Sequence, residues 1–520
     1  MIKRRTLLKI SLTLPLLRLG KSRIFANEKT IVLKKVKSFN ELKKYPATEI
    51  NSLIELSSYH EDSGIGGGMF IALKNDAIFH NDKACVADIS SKLSWVRLES
   101  LNGIKKPEWY GCVGDGITDD SDAFNSMLDS LHEGDTIVLG ESRHYHNKLP
   151  KRDSRWIIKK SNVTIIGNDS ILSRRATSQE TMNIDGANLA TLQISNVTNF
   201  EIRGKLLITS FENKSPLADK NGKIISTQTY PRAYVSSHGL FLEKVNKAIL
   251  PTTLTCSNAV FPCYITESSN INISGTYINS GQVYPVRGDD LQIGSGLKIS
   301  KSDGFTVNVL CKDCAYCGCE IEPYSKNGTV NINSVNTFMH GCIIHQNGEN
   351  IKANILSKNA QGAGLRISSG SNKIKAIIKT IQSSYGCIIV SEHDNICEEL
   401  DLNLTVIDVT KDYISAININ DNYPSFKNSN IYITEQKSNN PQLLMATPKQ
   451  ETAIKINNAQ KSNIYFTVSQ YTKNIDFTNS SNCTLKINNN KSDMKMKVNV
   501  SNNYNVRVLH NDDSTPINNK

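Results

Sequence analysis

One short phrase recurs seven times between Gly239 and Ile389: a small residue, an apolar one, a variable position, and a second apolar one. The copies are Gly239-Leu240-Phe241-Leu242, Pro262-Cys263-Tyr264-Ile265, Gly296-Leu297-Lys298-Ile299, Gly318-Cys319-Glu320-Ile321, Gly341-Cys342-Ile343-Ile344, Gly364-Leu365-Arg366-Ile367 and Gly386-Cys387-Ile388-Ile389. Their starts fall 23, 34, 22, 23, 23 and 22 residues apart. A period in the twenties with strand-type alternation inside each unit predicts a solenoid of stacked β-coils, because one unit cannot bury its apolar face alone. A second strand family interleaves with the first, including Asn270–Ile273, Phe305–Val309, Thr329–Ile332 and Ile351–Ile355. Gly, Asn and Ser at the junctions supply the turns. Weaker copies at Ala416–Ile419 and Ala453–Ile456 carry the coil to about residue 488, and 489–520 reads as a polar tail.

The repeat also predicts which side chains lie above one another. The second and fourth residues of each phrase point inward, and the third and fifth point out. Adjacent coils lie about 4.8 Å apart. Glu320 and Glu322 therefore share one outer face, with Lys298 on the coil below, His345 above Glu322, and Arg366 two coils above Glu320. Paired carboxylates are what glycosidic hydrolysis requires, one to protonate the leaving oxygen and one to activate water or attack carbon. Repulsion between them raises one proton affinity and makes that group the acid.

Alternating charge on a β-face is ordinary, but this cluster adjoins the one long gap in the repeat. That gap holds about eleven residues beyond the usual coil, in 281–291, and loops on a rigid scaffold tend to carry function. Asp289 and Asp290 are candidates to complete the acid set. Tyr284 and Arg287 of the same loop are candidate sugar-binding residues, together with Lys298, Arg366 and Tyr264. The candidate catalytic set is Glu320, Glu322, Asp289, Asp290 and His345. His340 reads as a turn or packing residue.

Residues 1–26 read as an export signal: Lys3-Arg4-Arg5-Thr6-Leu7-Leu8-Lys9, an apolar run from Ile10 to Leu17, and a cleavage position after Ala26. The segment resembles a twin-arginine signal and implies a periplasmic or secreted protein. It holds seven of the basic residues and no acid, so the formal +11 of the chain falls to +4 without it. A charge that small gives no reason to invoke nucleic acid. No later stretch approaches the roughly 20 apolar residues of a membrane span. Twelve cysteines in an exported chain would suggest disulfides. Cys263, Cys319, Cys342 and Cys387, however, occupy inward positions, which predicts stacked or paired thiols in the core. Cys311, Cys314, Cys317 and Cys319 have the wrong last gap for a common iron–sulfur site, and no metal or cofactor is expected.

Two further segments carry resemblances. Residues 28–104 form a small module with Ser58-Tyr59-His60, Gly66-Gly67-Gly68-Met69-Phe70 and Trp95-Val96-Arg97, similar to the module preceding the β-helix in many phage tailspike depolymerases. Trp109-Tyr110-Gly111-Cys112-Val113-Gly114-Asp115-Gly116-Ile117-Thr118-Asp119-Asp120-Ser121-Asp122-Ala123-Phe124 then resembles the opening motif of the pectate-lyase-like superfamily. Cys112, Val113 and Phe124 are mild departures from that motif. Asp119 and Asp120 are placed to cap a helix with apolar positions at Ala123, Phe124, Met127, Leu128 and Leu131, which would plug the first coil. Gly318-Cys319-Glu320-Ile321-Glu322-Pro323 also resembles a Gly-Ile-Asp-Ile-Glu-Pro phrase of that superfamily.

The resemblance implies an all-β chain folded over 105–488 as a right-handed parallel β-helix, with an N-terminal capping helix and a small N-terminal module. It implies an exported enzyme that cleaves a capsule, exopolysaccharide or pectin-like polymer, by hydrolysis or by β-elimination. The superfamily's lyases often use Ca²⁺, for which the sequence offers no ligand set. In a lyase Lys298, Arg366 or His345 would abstract the C5 proton. The alternatives are a glycan-binding protein of polysaccharide assembly that works without turnover, and a prophage-derived receptor-binding spike. A spike is at odds with an export signal, and no particle-attachment domain stands out. The partner expected is a polysaccharide, for a monomer or a homotrimer.

Overall fold

The structure, a computed structural model, describes residues 33–75, 85–87, 92–148, 156–174, 189–209, 237–280, 294–436, 452–468, 474–489 and 498–510. The signal-like residues 1–26 lie outside the described residues.

Every copy of the repeated phrase lands on one sheet. Among the described residues that sheet has 13 parallel strands, from Ile157–Ile158 through Leu297–Ser300, Cys319–Ile321, Cys342–Ile344 and Ala363–Ser368 to Val498–Asn499. The interleaved strand family builds a 22-stranded sheet whose longest members are Ser269–Ser280, Asp303–Cys314, Lys326–Thr337 and Glu349–Ala360. Successive coils pair in parallel register, for example Val307 with Val330, Val330 with Ala353, and Ala353 with Ala376. The chain is thus a right-handed parallel β-helix, with one continuous apolar core between the two sheets.

The small residue that opens each phrase has a packing cause. A Cβ on Gly318, Gly341 or Gly364 would lie well inside contact distance of Ser334 Oγ, Ser357 Oγ or Thr380 Oγ1, the residues that the opposite long strands press against the phrase. The abundant Asn has a conformational cause. Asn327, Asn350, Asn336 and Asn359 all have φ between 51 and 57°, the left-handed region that Asn tolerates. Their amides also form ladders between coils, with Asn350 Nδ2 donating to Asn327 Oδ1 at 2.7 Å and Asn359 Nδ2 to Asn336 Oδ1 at 3.0 Å.

The helix in the opening motif is Ser121–Asp129, and it closes the first coil by burying Phe124, Met127 and Leu128. Phe124 stacks on Trp156 with ring centroids 4.2 Å apart. Neither expected aspartate makes a regular cap bond: Asp120 stands at the N-cap without one, and Asp119 reaches only the first helical residue. Asp119 Oδ1 accepts from Ser121 N at 3.1 Å. Asp120 instead accepts from Val113 N at 2.7 Å, Gly114 N at 3.2 Å and His146 N at 3.3 Å, tying the glycine-rich loop to the first coil. Those three amides surround the buried carboxylate and satisfy it more fully than one helix N–H would.

Strand pairing also continues past residue 488, where the polar sequence marks a tail. Val498–Asn499 pairs with Ile475–Asp476, and Arg507–His510 with Thr484–Ile487. The described cysteines outside Cys85–Ala87 are all buried free thiols, so none of them is paired, and Cys319 stacks directly on Cys342. The N-terminal module is a five-stranded sheet over Lys34–Arg97 with a core of its own around Phe39, Leu42, Phe70 and Trp95.

The glycine packing predicts a graded response. Gly341→Ala should lower stability by about 1–3 kcal/mol through overpacking, while Lys352→Ala on the exposed face should stay within about 0.5 kcal/mol. Urea unfolding of the two variants checks the contrast.

Candidate functional site

The acid cluster assembles from three coils in register. Lys298 pairs with Glu320, and Glu320 with Ile343, which pairs in turn with Arg366. Glu320 lies at the floor, only 5% exposed. Its Oε2 accepts from Ser295 Oγ at 2.9 Å and lies 3.8 Å from Lys298 Nζ. Its Oε1 faces His345 Nε2 at 3.2 Å. Glu322 lies nearer the surface, with Oε1 3.4 Å from both Lys298 Nζ and His345 Nε2. The two carboxyls also hydrogen-bond each other.

Proton affinities diverge strongly across this cluster. Burial acts to raise the Glu320 carboxyl, but the His345 hydrogen bond and the Lys298 charge outweigh it and hold Glu320 well below the usual carboxylate range. Burial, the hydrogen bond to Glu320 and the Glu320 charge push Glu322 up to about 7, against the opposing pull of Lys298 and His345. Lys298 is raised, because the charges of Glu320 and Glu322 exceed the opposing effect of its own burial. It is an ammonium, braced over the Phe261 ring at 4.9 Å and the Tyr264 ring at 5.7 Å. The pair therefore titrates as a unit, with Glu322 the carboxyl pushed up and Glu320 the one held down.

The expected residues divide into four groups. Lys298, Glu320, Glu322 and His345 come together as the register predicts. Arg366 stands two coils from Glu320 and outside the ion-pair cluster. Tyr264 sits below Lys298 and packs on Phe241 at 5.3 Å, as part of an aromatic cluster with His238 and Phe261. Tyr284, Arg287, Asp289 and Asp290 lie outside the described residues.

Phe241 and Ile343 lie outside the continuous core while their neighbours Leu240, Leu242, Cys342 and Ile344 belong to it, as the alternation predicts. They are nevertheless only 2% and 0% exposed, and for Phe241 the cover is the His238 and Tyr264 rings. His340 is buried as a packing residue, its Nδ1 accepting from Ala363 N at 3.0 Å. Ser295 and Phe261 were not foreseen. Ser295 precedes its phrase in a turn that the strand alternation does not reach, and Phe261 precedes the only described phrase that opens with Pro.

Glu320, Glu322 and His345 offer three ligand atoms within 4.8 Å of one another, a spacing that suits a metal ion. Lys298 already supplies a cation to both carboxylates at that point, so the donor set does not fit a divalent ion well.

The family described as a phage tail protein small four-stranded beta-sheet domain matches residues 35–100. The Mu-like prophage FluMu defective tail fiber protein of Haemophilus influenzae is 33% identical over 110 residues, which is 21% of this chain and 17% of that protein. The chain thus aligns with less than a fifth of that relative's length. Tailspike protein 2 of an Escherichia coli bacteriophage is similar in structure, with 14% identity, a TM-score of 0.42, and coverage of 89% of this chain and 52% of that one. A family 28 exopolygalacturonase of Yersinia enterocolitica has 12% identity, a TM-score of 0.48, and coverage of 80% and 79%. The chain thus has the parallel β-helix fold, and its opening motif resembles that of the pectate-lyase-like superfamily. No helix among the described residues is long and apolar enough to cross a membrane.

The division of the proton is directly testable. In Glu320→Gln the Glu322 titration, followed by carbon NMR of the glutamate carboxyls, should fall from about 7 back toward the ordinary range. Lys298→Met should move it further up.

Proposed function

We propose that the chain is a polysaccharide-cleaving β-helix of the tailspike type that works by hydrolysis, with Glu322 as general acid. The observation that carries this reading is the close pairing of the more accessible Glu322 with the buried Glu320 between Lys298 and His345, which pushes Glu322 up to about 7, since a carboxyl that takes up a proton near neutrality can donate to a glycosidic oxygen. Glu320, His345 and Lys298 then act as positioning groups that set the acidity of Glu322.

The second catalytic carboxylate is a separate group. Retaining and inverting glycosidases hold their two carboxyls about 5–5.5 or about 6.5–9.5 Å apart, whereas Glu320 and Glu322 are hydrogen-bonded to each other. Asp289 or Asp290 is the natural candidate, because their segment leads directly into Ser295, which binds Glu320. In this scheme the Asp activates water or attacks the anomeric carbon while the Glu322 proton passes to the departing sugar oxygen. Elimination is less well supported. Lys298 is held as a cation and Arg366 is a guanidinium, so neither is a ready base. That leaves His345 alone.

The matches to a phage tail domain and to a prophage tail fibre protein favour a tail-associated spike over a glycan-binding factor of polymer assembly. The decisive experiment incubates the chain with capsular, exopolysaccharide and pectin-like polymers, following chain length together with the absorbance of unsaturated uronate. Shortening without absorbance is expected. Shortening with absorbance would establish elimination, and retention without shortening would establish a binder. Glu322→Gln should reduce cleavage by about 10²–10⁴-fold. Because the acid must be protonated, wild-type activity should decline as the pH rises through about 7, and a rate flat to pH 9 would exclude Glu322 as the acid.

A further inference from the structure

Five successive coils leave the strand sheet that bears the acid pair through one residue of left-handed backbone. These are Glu267, Lys301, Tyr324, Asn347 and Gly370, with φ of 49, 47, 63, 58 and 71°. Asn and Gly suit that conformation, whereas a bulky aromatic there is a true outlier. Tyr324 is also 65% exposed, so little packing compensates for the strain. Its backbone is pinned on both sides. Lys301 N donates to Pro323 O at 3.2 Å, Lys326 N donates to Ser302 O at 2.9 Å, and Ser325 is fully buried. Only Pro323 separates the ring from Glu322.

The strand register marks this turn as the first of a longer kind. Ile299 pairs with Ile321, 22 residues on, while Asp303 pairs with Lys326, 23 residues on. The coil of Glu322 therefore carries one residue more between these points than the coil below, and the next coil keeps the longer turn. Such an extra residue re-aims side chains at the edge of a sheet, as a β-bulge does beside an active site. A strained, exposed and rigidly held aromatic next to the acid pair is an outlier that function can account for.

We infer that Tyr324 is a sugar-stacking residue, its ring taking the apolar C–H face of a pyranose one unit away from the bond that Glu322 protonates. The inference rests on the polysaccharide reading of the same site. A flat ring offers a pyranose a large rigid contact at low cost in side-chain entropy. Replacement by Asn, the residue of the next coil, relieves the strained turn and removes only the ring.

Affinity electrophoresis tests this in gels containing bacterial capsular polysaccharides, with the full chain bearing Glu322→Gln so that the polymer is not consumed. Adding Tyr324→Asn should weaken retention roughly ten-fold with a Tm no lower than that of the parent, and Tyr324→Phe should restore most of the retention. Equal retention of the Asn variant and its parent would overturn the inference. So would a fall in Tm in step with retention, which would mark a packing residue, or failure of Phe to restore binding, which would point to the hydroxyl. If the wild-type chain is retained but shortens no polymer, the hydrolase reading falls and the Tyr324 comparison still decides. If no polymer retains the chain, both fall together.

Discussion

In-register parallel pairing is the constraint on which the rest of this molecule depends. Each strand hydrogen-bonds to the equivalent strand of the next coil, so a residue's neighbours above and below are set by an offset of 22 or 23 residues over most of the central coils. The same environment is therefore imposed on every residue of a column. Gly318, Gly341 and Gly364 answer to Ser334, Ser357 and Thr380 in just this way. The left-handed Asn columns answer to the turns, where a residue must combine an unusual φ with a side chain able to bond its counterpart one coil away. The acid cluster has the same origin, since Lys298, Glu320 and His345 come from three consecutive coils.

That dependence explains what was legible in the amino-acid sequence. The coil, the inward cysteines and the juxtaposition of Lys298, Glu320, Glu322 and His345 all follow from period and alternation, which need no knowledge of what lies outside the coil. Depth does not follow from them. Glu320 was placed on an outer face and is buried there, because Ser295, Lys298 and His345 close over it. The role of Asp120 was obscured for a related reason: the amides of Val113, Gly114 and His146 compete for its carboxylate, and two of these are separated from the third by a loop and a helix. The last coils were missed because their pairing uses short strands, Val498–Asn499 and Arg507–His510, in a polar stretch with little apolar pattern.

The electrostatics of the cluster turn on which carboxyl holds the proton. One ammonium cannot neutralise two carboxylates in a largely buried site, so one of the pair takes a proton. Burial alone would select Glu320, the deeper group. The donors reverse that choice, because Ser295 bonds Glu320 alone and His345 bonds it more closely than Glu322, while Lys298 lies near both. A carboxyl raised from 4.5 to about 7 corresponds to roughly 3 kcal/mol of preference for the neutral form.

The sign of the linked effect on stability follows from these directions. Glu322 binds its proton more tightly folded than unfolded, so its contribution is present below the ordinary carboxylate range and is lost as pH rises through about 7. Glu320 has the opposite sense, its contribution being present above that range and lost only in strong acid. Around neutrality the two effects therefore oppose each other, with Glu322 losing its contribution while that of Glu320 is fully present. The stacked coils on either side supply the stability that such a site needs, and the same register that built the core sets Lys298 and His345 where they hold Glu320 ionised, which in turn raises Glu322.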